Sequence, residues 1–230
     1  FETTEFNNPQ GTVLLDNYLY IADTDNHTIR KADLNNRTVV TIAGLGYQVY
    51  SRRPVGKGIN MGLNSPWDLT IVNNYLYIAM AGPHQIWKLD LNSNDISVHA
   101  GNGAENIVDG YLLNAQLAQP SGLTTDGNVL FFADSEVSAI RIADIIETGK
   151  VTTIVGKGLF DFGDKDGNTK NALLQHPIGL IYNQNKIYVA DTYNNKIKVI
   201  DLDNKIISTL AGNGKEGNNN GSFGSALFNE

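Results

Sequence analysis

The sequence predicts an all-β fold, a β-propeller with four four-stranded blades, and three observations carry this prediction. A unit of about 55 residues occurs four times, beginning at Pro9, Pro66, Pro120 and Pro177, in steps of 57, 54 and 57 residues. Each unit contains four short runs rich in β-branched and aromatic residues, which Asn, Asp and Gly turns separate. No segment has a sustained 3.6-residue apolar period, which disfavours helices. A four-stranded repeat of this size is typical of a propeller blade.

The predicted strands follow the same order in every unit. The first, inner strands are 12–15, 69–72, 123–126 and 180–183, and the second strands are 18–23, 75–80, 130–134 and 187–191. The third strands are 28–33, 86–90, 140–144 and 197–201, and the fourth are 39–44, 96–101, 151–156 and 206–212. These runs are nearly continuously apolar, which favours sheets that neighbours cover on both faces. A β-sandwich is the alternative, but it gives no reason for a fourfold repeat in register.

The repeat also predicts how the chain is divided. Residues 1–8 match the tail of a preceding unit, and the blades are 9–65, 66–119, 120–176 and 177–230. The end faces of such an array would each expose about five or six large apolar side chains, roughly 10 kcal/mol of burial not gained. We therefore expect other blades or self-association to cover these faces. Closure of four blades on themselves is the alternative.

Composition narrows the function classes. The net charge of −7, from 17 basic and 24 acidic residues, disfavours a nucleic-acid partner. The chain has no cysteine, which excludes a disulfide, a thiolate metal site or a cysteine nucleophile within it. It contains no apolar run of 18 residues and no recognisable targeting segment, so the composition indicates a soluble globular domain without assigning a compartment.

Two loops carry a recognisable motif. Residues 21–29 read Ile-Ala-Asp-Thr-Asp-Asn-His-Thr-Ile, and residues 189–197 read Val-Ala-Asp-Thr-Tyr-Asn-Asn-Lys-Ile. Both resemble the NHL-repeat pattern V-A-D-x-x-N-H-x-I, and the resemblance extends over the whole chain. A closer similarity is to the propeller of NHL-repeat-containing proteins that also carry a thioredoxin-like domain. The segments that support it are 6–11, 65–68, 78–87, 119–123 and 175–177.

This resemblance implies a propeller of six blades, of which this chain would hold the second to the fifth. It also implies a thioredoxin-like redox domain outside this chain. Since the chain has no cysteine, any redox role would belong to that other domain.

The second unit departs from the pattern of the other three and is the predicted partner-binding site. Pro-x-Gly becomes Pro-Trp-Asp, the Asp that ends the second strand becomes Met, and the following loop reads Ala-Gly-Pro-His-Gln. Tryptophan is frequent at binding hot spots and costly to expose. The candidate residues are therefore Trp67, Asp68, Met80, His84 and Gln85. The alternative is that bulky side chains fill space between blades where the glycine was lost.

Other charged positions are better explained as structural. Asp23, Asp134 and Asp191 end second strands and could form a ring for a cation or basic peptide, but an Asp that braces its own loop is the favoured interpretation. Residues 161–167 resemble a calcium loop, although Gln175 stands where an EF-hand needs a bidentate Glu. The basic segment 51–57 is interpreted as solvated loop charge.

The predicted function is a non-catalytic scaffold that binds a protein or peptide, without cofactor or metal. The sequence shows no nucleophile elbow, no paired histidine ligands and no phosphate-binding loop before a helix. The alternative is a propeller enzyme, a metal-dependent lyase or lactonase, with a site in the central channel. Such a site needs ligands from several inner strands, and these strands offer only Asp126.

A scaffold of this kind should unfold independently of metal. We expect EDTA, and then saturating calcium or zinc, to shift the thermal midpoint by no more than about one degree, because a ligand stabilises only a state that binds it. Differential scanning calorimetry measures this directly. A rise of several degrees with one metal would favour the enzyme alternative.

Overall fold

Four antiparallel sheets follow one another along the chain in a computed structural model that describes residues 4–230. The four long strands of each sheet are paired in sequence order, and short turns join neighbouring long strands. The predicted all-β class and the four four-stranded blades are confirmed; the total of six blades stays a prediction. Of residues 1–8, the first three lie outside the described residues.

Every blade contains four long strands, and three of the blades add a short outer one. The first blade consists of β1 (Pro9–Leu15), β2 (Tyr18–Asp23), β3 (Thr28–Asp33) and β4 (Thr38–Ala43). The second consists of β5 (Val55–Lys57), β6 (Pro66–Val72), β7 (Tyr75–Met80), β8 (Gln85–Asp90) and β9 (Asp95–Ala100). The third consists of β10 (Gly110–Tyr111), β11 (Pro120–Thr125), β12 (Val129–Asp134), β13 (Ala139–Asp144) and β14 (Lys150–Val155). The fourth consists of β15 (Gly167–Asn168), β16 (Pro177–Asn183), β17 (Lys186–Asp191), β18 (Lys196–Asp201) and β19 (Ile206–Ala211).

The short outer strands β5, β10 and β15 were not predicted. Each pairs with the fourth long strand of its sheet, although its residues precede the proline that begins the unit. With two or three residues rich in Gly, they carry no apolar period that a sequence pattern could reveal. The blades 9–65, 66–119, 120–176 and 177–230 therefore stay a proposal, and three of the sheets take an edge strand from ahead of the proline.

Packing between blades forms the core. In β7, Leu76 and Ile78 belong to an apolar cluster shared with the first blade, whereas Tyr77 and Ala79 belong to one shared with the third. A further cluster joins the third and fourth blades. Since successive side chains of a strand point to opposite faces, a strand between two neighbours is buried on both. This explains the nearly continuous apolar runs of the second strands.

The outer faces of the first and fourth blades lack such a neighbour among the described residues. Leu14 is 59% exposed on one face and Ile181 is 62% exposed on the other. These are the faces that we expect other blades or a second copy to cover. No helix in residues 4–230 has the length and apolarity needed to cross a membrane.

The glycine of Pro-x-Gly lets neighbouring inner strands come close. A Cβ on Gly11 would lie 2.2 Å from Oδ1 of Asp68, and a Cβ on Gly122 would lie 2.2 Å from the carbonyl oxygen of Ile178. Both distances are far below contact, and in the second case the obstacle is backbone. Glycine is therefore required at this position because the inner strand of the next blade comes close, and not because of its own backbone conformation.

Alanine substitutions at two equivalent glycines test this requirement. Gly122→Ala should lower the free energy of unfolding by about 1–3 kcal/mol, because the added methyl group overpacks the contact between inner strands. Gly179→Ala is the matched control, since its Cβ would meet only Ala190 at 3.9 Å. Urea unfolding of both variants in the 230-residue chain measures the difference. Equal losses would contradict the assignment of the glycine to blade contact.

Candidate binding site on the second blade

The loops after the second strands fasten each blade to the next. We call the side of the propeller on which they lie the upper face. The last residue of each of three such loops has a positive φ and accepts the backbone N–H of the residue before the next unit's proline. These bonds are Ser65 N to His27 Nδ1 (3.1 Å), Gln119 N to His84 Nδ1 (3.2 Å) and His176 N to the Ser138 hydroxyl (3.1 Å).

The three second-strand carboxylates are internal ties. Asp23, Asp134 and Asp191 are fully buried. Each accepts the N–H of a residue 16 positions earlier: Asn7 at 2.8 Å, Ala118 at 2.7 Å and Gln175 at 2.7 Å. The predicted bracing by these side chains thus reaches back to the segment before the unit's own proline and not only into the loop that follows.

Each of these carboxylates also faces a cation seven residues later on the third strand. The distances are 3.0 Å from Asp23 to Arg30, 2.7 Å from Asp134 to Arg141 and 3.7 Å from Asp191 to Lys198. Arg141 is entirely buried, and it also bonds Asp109 and the carbonyl oxygens of Val108 and Gln116. A carboxylate held in this way has no open position for a ligand.

The segment that resembles a calcium loop is filled by lysine ammonium groups. Nζ of Lys198 lies 2.7 Å from Asp164 and 2.9 Å from Asp166, and Lys196 also pairs with Asp164. These contacts lower the pKa of both carboxyls, against the opposing effect of burial. Among residues 4–230 no group of three or more His, Cys, Asp or Glu side chains is placed to hold a metal ion.

The second blade replaces the ion pair with apolar side chains. Met80 occupies the carboxylate position and Trp87, seven residues later, the cation position; both are fully buried in one cluster. The Trp87 indole donates to Gln85 Oε1 at 2.9 Å, and Gln85 Nε2 donates to the carbonyl oxygens of Arg52 and Gly101, both at 3.0 Å. Sequence reasoning missed Trp87, although the seven-residue spacing of Arg30, Arg141 and Lys198 was a usable signal.

The structure therefore divides the predicted site. Met80 is 0% and Gln85 1% exposed. Met80 packs in the core cluster, and Gln85 holds the carbonyl oxygens of Arg52 and Gly101. Trp67, Asp68 and His84 remain at the surface of two depressions. This division has a simple cause: a loop that packs between blades turns some of its side chains inward, and the sequence does not say which.

Asp68 joins the second blade to the third where the other units have glycine. One of its carboxylate oxygens accepts the N–H of Leu69 and the other accepts the N–H of Leu123, each at 2.8 Å. Burial raises the pKa of Asp68 to about 6, although both backbone bonds act to lower it. The side chain is thus a bridge between inner strands rather than a ligand-ready charge.

Trp67 lies between two depressions of the surface. The channel depression, of about 200 Å³, is lined by inner-strand residues that include Gln10, Asp68 and Ser121. The upper depression, of about 350 Å³, is lined by Gln48, Tyr50, Asn64, Ser65, Trp67, Ala81, Gly82, His84, Glu105 and Gln119. Trp67 lines both depressions.

Asp126, the inner-strand carboxylate considered for an enzyme, belongs to a turn. It is exposed and accepts the N–H groups of Asn128 and Val129 at 2.8 and 2.9 Å. It caps the hairpin between β11 and β12 and lines neither depression.

Comparison with known proteins identifies relatives over the whole chain. NHL repeat-containing protein 2 of Bos taurus is 42% identical over 262 residues, which cover 100% of this chain and 36% of the relative. Protein SUPPRESSOR OF QUENCHING 1, chloroplastic, of Arabidopsis thaliana is 41% identical over 244 residues, which cover 100% of this chain and 23% of the relative. The chain thus spans about a third or less of the curated relatives it matches. No family model matches it.

A solved structure has the same fold at low sequence identity. A protein of unknown function from Bacteroides thetaiotaomicron superposes with a TM-score of 0.64 at 18% identity. The match covers 86% of this chain and 46% of that one. At this identity the likeness concerns the fold alone.

The buried carboxylates can be tested as structural ties. Asp134→Ala should lower the free energy of unfolding by about 3–5 kcal/mol, because it leaves the buried Arg141 guanidinium short of a partner. Asp109 bonds the same guanidinium and also Thr153 but is 47% exposed. It is the control, because water can replace an exposed carboxylate, and Asp109→Ala should cost only about 1–2 kcal/mol. Denaturant unfolding gives both values. A loss at Asp134 no larger than that at Asp109 would contradict the proposed tie.

Proposed function

Because the chain is an NHL-repeat β-propeller, homologous over its whole length to about a third of NHL repeat-containing protein 2, we propose that it is a non-catalytic scaffold that binds a protein or peptide. The curated relatives of this name are named for their repeats and not for an activity. The binding surface that we propose consists of the two depressions beside Trp67, with His84 in the upper one and Asp68 in the channel one.

One observation carries the proposal: Trp67 is only partly buried and lines both depressions. A large aromatic side chain at the centre of a concave surface is the usual anchor of a protein interface. Asp134, Asp68 and Asp126 are engaged in an ion pair, backbone bonds and a turn cap respectively, which leaves Glu105 as the one carboxylate among the described residues of the upper depression. These engagements favour binding over catalysis at this face.

Two finer expectations of the sequence stay predictions. They are the attachment of a thioredoxin-like redox domain outside this chain and the covering of the end faces by other blades or a second copy. The Trp67 surface depends on neither of them, since residues 4–230 alone form it.

Selection of peptides tests this function. A phage-displayed library of random peptides is panned against the immobilised chain, and the selected peptides are synthesised and measured by calorimetry. Trp67→Ala should weaken their binding at least about tenfold, the loss expected of a hot-spot aromatic residue, while the melting temperature stays within a few degrees.

The matched control is Tyr75→Ala. Tyr75 is an exposed aromatic residue of the same blade, at the start of β7, the end of that strand opposite the upper-face loop, and its loss should not alter peptide binding. Peptides that bind Trp67→Ala as well as the unmodified chain would contradict the proposed surface, and so would a library that yields none.

A further inference from the structure

The upper depression combines aromatic rings with a single ionised group. Tyr50, which is 82% exposed, and Trp67 provide the rings, and Glu105 is the one ionised side chain among the described residues that line it. Aromatic faces and a carboxylate are the two kinds of group that attract an organic cation. This composition favours a positively charged ligand over an anionic or purely apolar one.

His84 does not add a competing positive charge. Its Nδ1 accepts the N–H of Gln119, which requires the unprotonated ring nitrogen. Burial lowers its pKa below the ordinary value, although the carboxylate of Glu105 opposes this shift. The imidazole is thus a neutral part of the wall at pH 7.

The basic loop faces a different cavity. Arg52 and Arg53 line an adjoining space together with Gln85 and Gly101, on the β9 side of the loop. Arg52 is close enough to help lower the pKa of His84, but neither arginine lines the upper depression, where Glu105 is the ionised side chain.

A side-chain amide in the wall of the upper depression has an unpaired donor, which indicates a second contact with a ligand. Asn64 is 1% exposed. Its Oδ1 accepts hydrogen bonds from Gln48 (2.7 Å) and the Ser65 hydroxyl (3.3 Å). Its Nδ2 has no hydrogen-bond partner among the described residues. A buried donor without an acceptor is costly. The Nδ2 atom has almost no accessible surface, so a ligand carbonyl oxygen would satisfy it after a small shift of the groups that cover it.

Gly82 makes room for this amide. A Cβ at this position would lie 2.2 Å from Oδ1 and 2.6 Å from Nδ2 of Asn64. The corresponding loop positions in the other units are Asp25, Glu136 and Tyr193. Among the four units only the second has glycine at this loop position, and this is the same unit that carries Trp67.

We propose that the upper depression binds an arginine side chain of a basic peptide segment. The guanidinium stacks on the rings of Tyr50 and Trp67 and pairs with Glu105, and a peptide carbonyl of the ligand accepts a hydrogen bond from Asn64 Nδ2. A planar guanidinium suits both stacking and carboxylate pairing better than an ammonium group. The proposal rests on the proposed function and adds the chemical class of the partner, which the net charge of −7 also suits.

The test uses a minimal probe, Nα-acetyl-arginine N-methylamide, titrated at constant ionic strength into chain labelled with ¹⁵N-tryptophan. The chain has two tryptophans, so two indole signals report, and Trp67→Phe assigns them. We expect the Trp67 signal to shift saturably, while the signal of the buried Trp87 serves as an internal reference and stays in place. The corresponding citrulline probe, of the same shape without charge, should bind at least about fivefold more weakly.

Two variants separate the parts of the ligand. Glu105→Gln should weaken the arginine probe about fivefold and leave the citrulline probe unchanged, whereas Glu216→Gln, at an exposed carboxylate of the fourth blade's loop, should alter neither. Asn64→Ala should weaken both probes equally, because both offer the same carbonyl oxygen.

The proposal is overturned if the two probes bind equally, if the Trp67 signal does not shift, or if Glu105→Gln has no effect. Tighter binding of Nα-acetyl-lysine N-methylamide than of the arginine probe would also overturn it. Peptides selected by panning that still depend on Trp67 would show, in each of these cases, that the surface binds a partner of another chemical class.

Discussion

Each blade of this chain depends on its neighbours, because the second strand of an inner blade is buried on both faces. A sheet of this kind cannot bury its apolar side chains alone. The order of the blades is then fixed by three kinds of contact. A loop residue of positive φ accepts the N–H before the next proline. In three of the blades a buried carboxylate accepts an N–H from the preceding segment, and in the first and third blades a glycine lets the next inner strand approach. The apolar clusters provide the buried area, and these contacts set the position of each blade relative to the next.

In the second blade two of these contacts, the buried carboxylate and the glycine, are replaced together. Asp68 in place of glycine fills the space between inner strands and takes the N–H of Leu123. Met80 and Trp87 in place of the ion pair keep the position filled without a buried charge, in keeping with the finding that a buried pair and apolar side chains of similar volume have comparable stability. The loop contact is retained, since His84 Nδ1 accepts the N–H of Gln119. The residues by which the second blade differs from the others thus form new contacts that replace those that are lost.

The fold could be predicted from the sequence to the extent that apolar runs define it. The long strands were predicted within one to three residues at either end, since β-branched and aromatic runs bounded by turns define them. The outer strands could not be, because two or three Gly-rich residues have no pattern of their own. At the site, the departure of the second unit indicated Trp67. Tyr50, Asn64 and Glu105 were missed, because they lie on three separate segments that only blade packing brings together. Gly82, in a position held by a larger residue elsewhere, was the one available signal.

The outer strands and the contacts between blades determine where this propeller can be divided into modules. A blade taken from one proline to the next loses the edge strand that precedes its own proline, and it also loses the segment whose N–H its carboxylate accepts. A module suited to grafting or circular permutation therefore begins in the exposed loop ahead of the outer strand, for example before Val55 or Gly110, and ends before the next outer strand. Cut at those points, each piece keeps its complete sheet; for the third blade a cut before Val108 also keeps Val108 and Asp109 with the Arg141 that they bond.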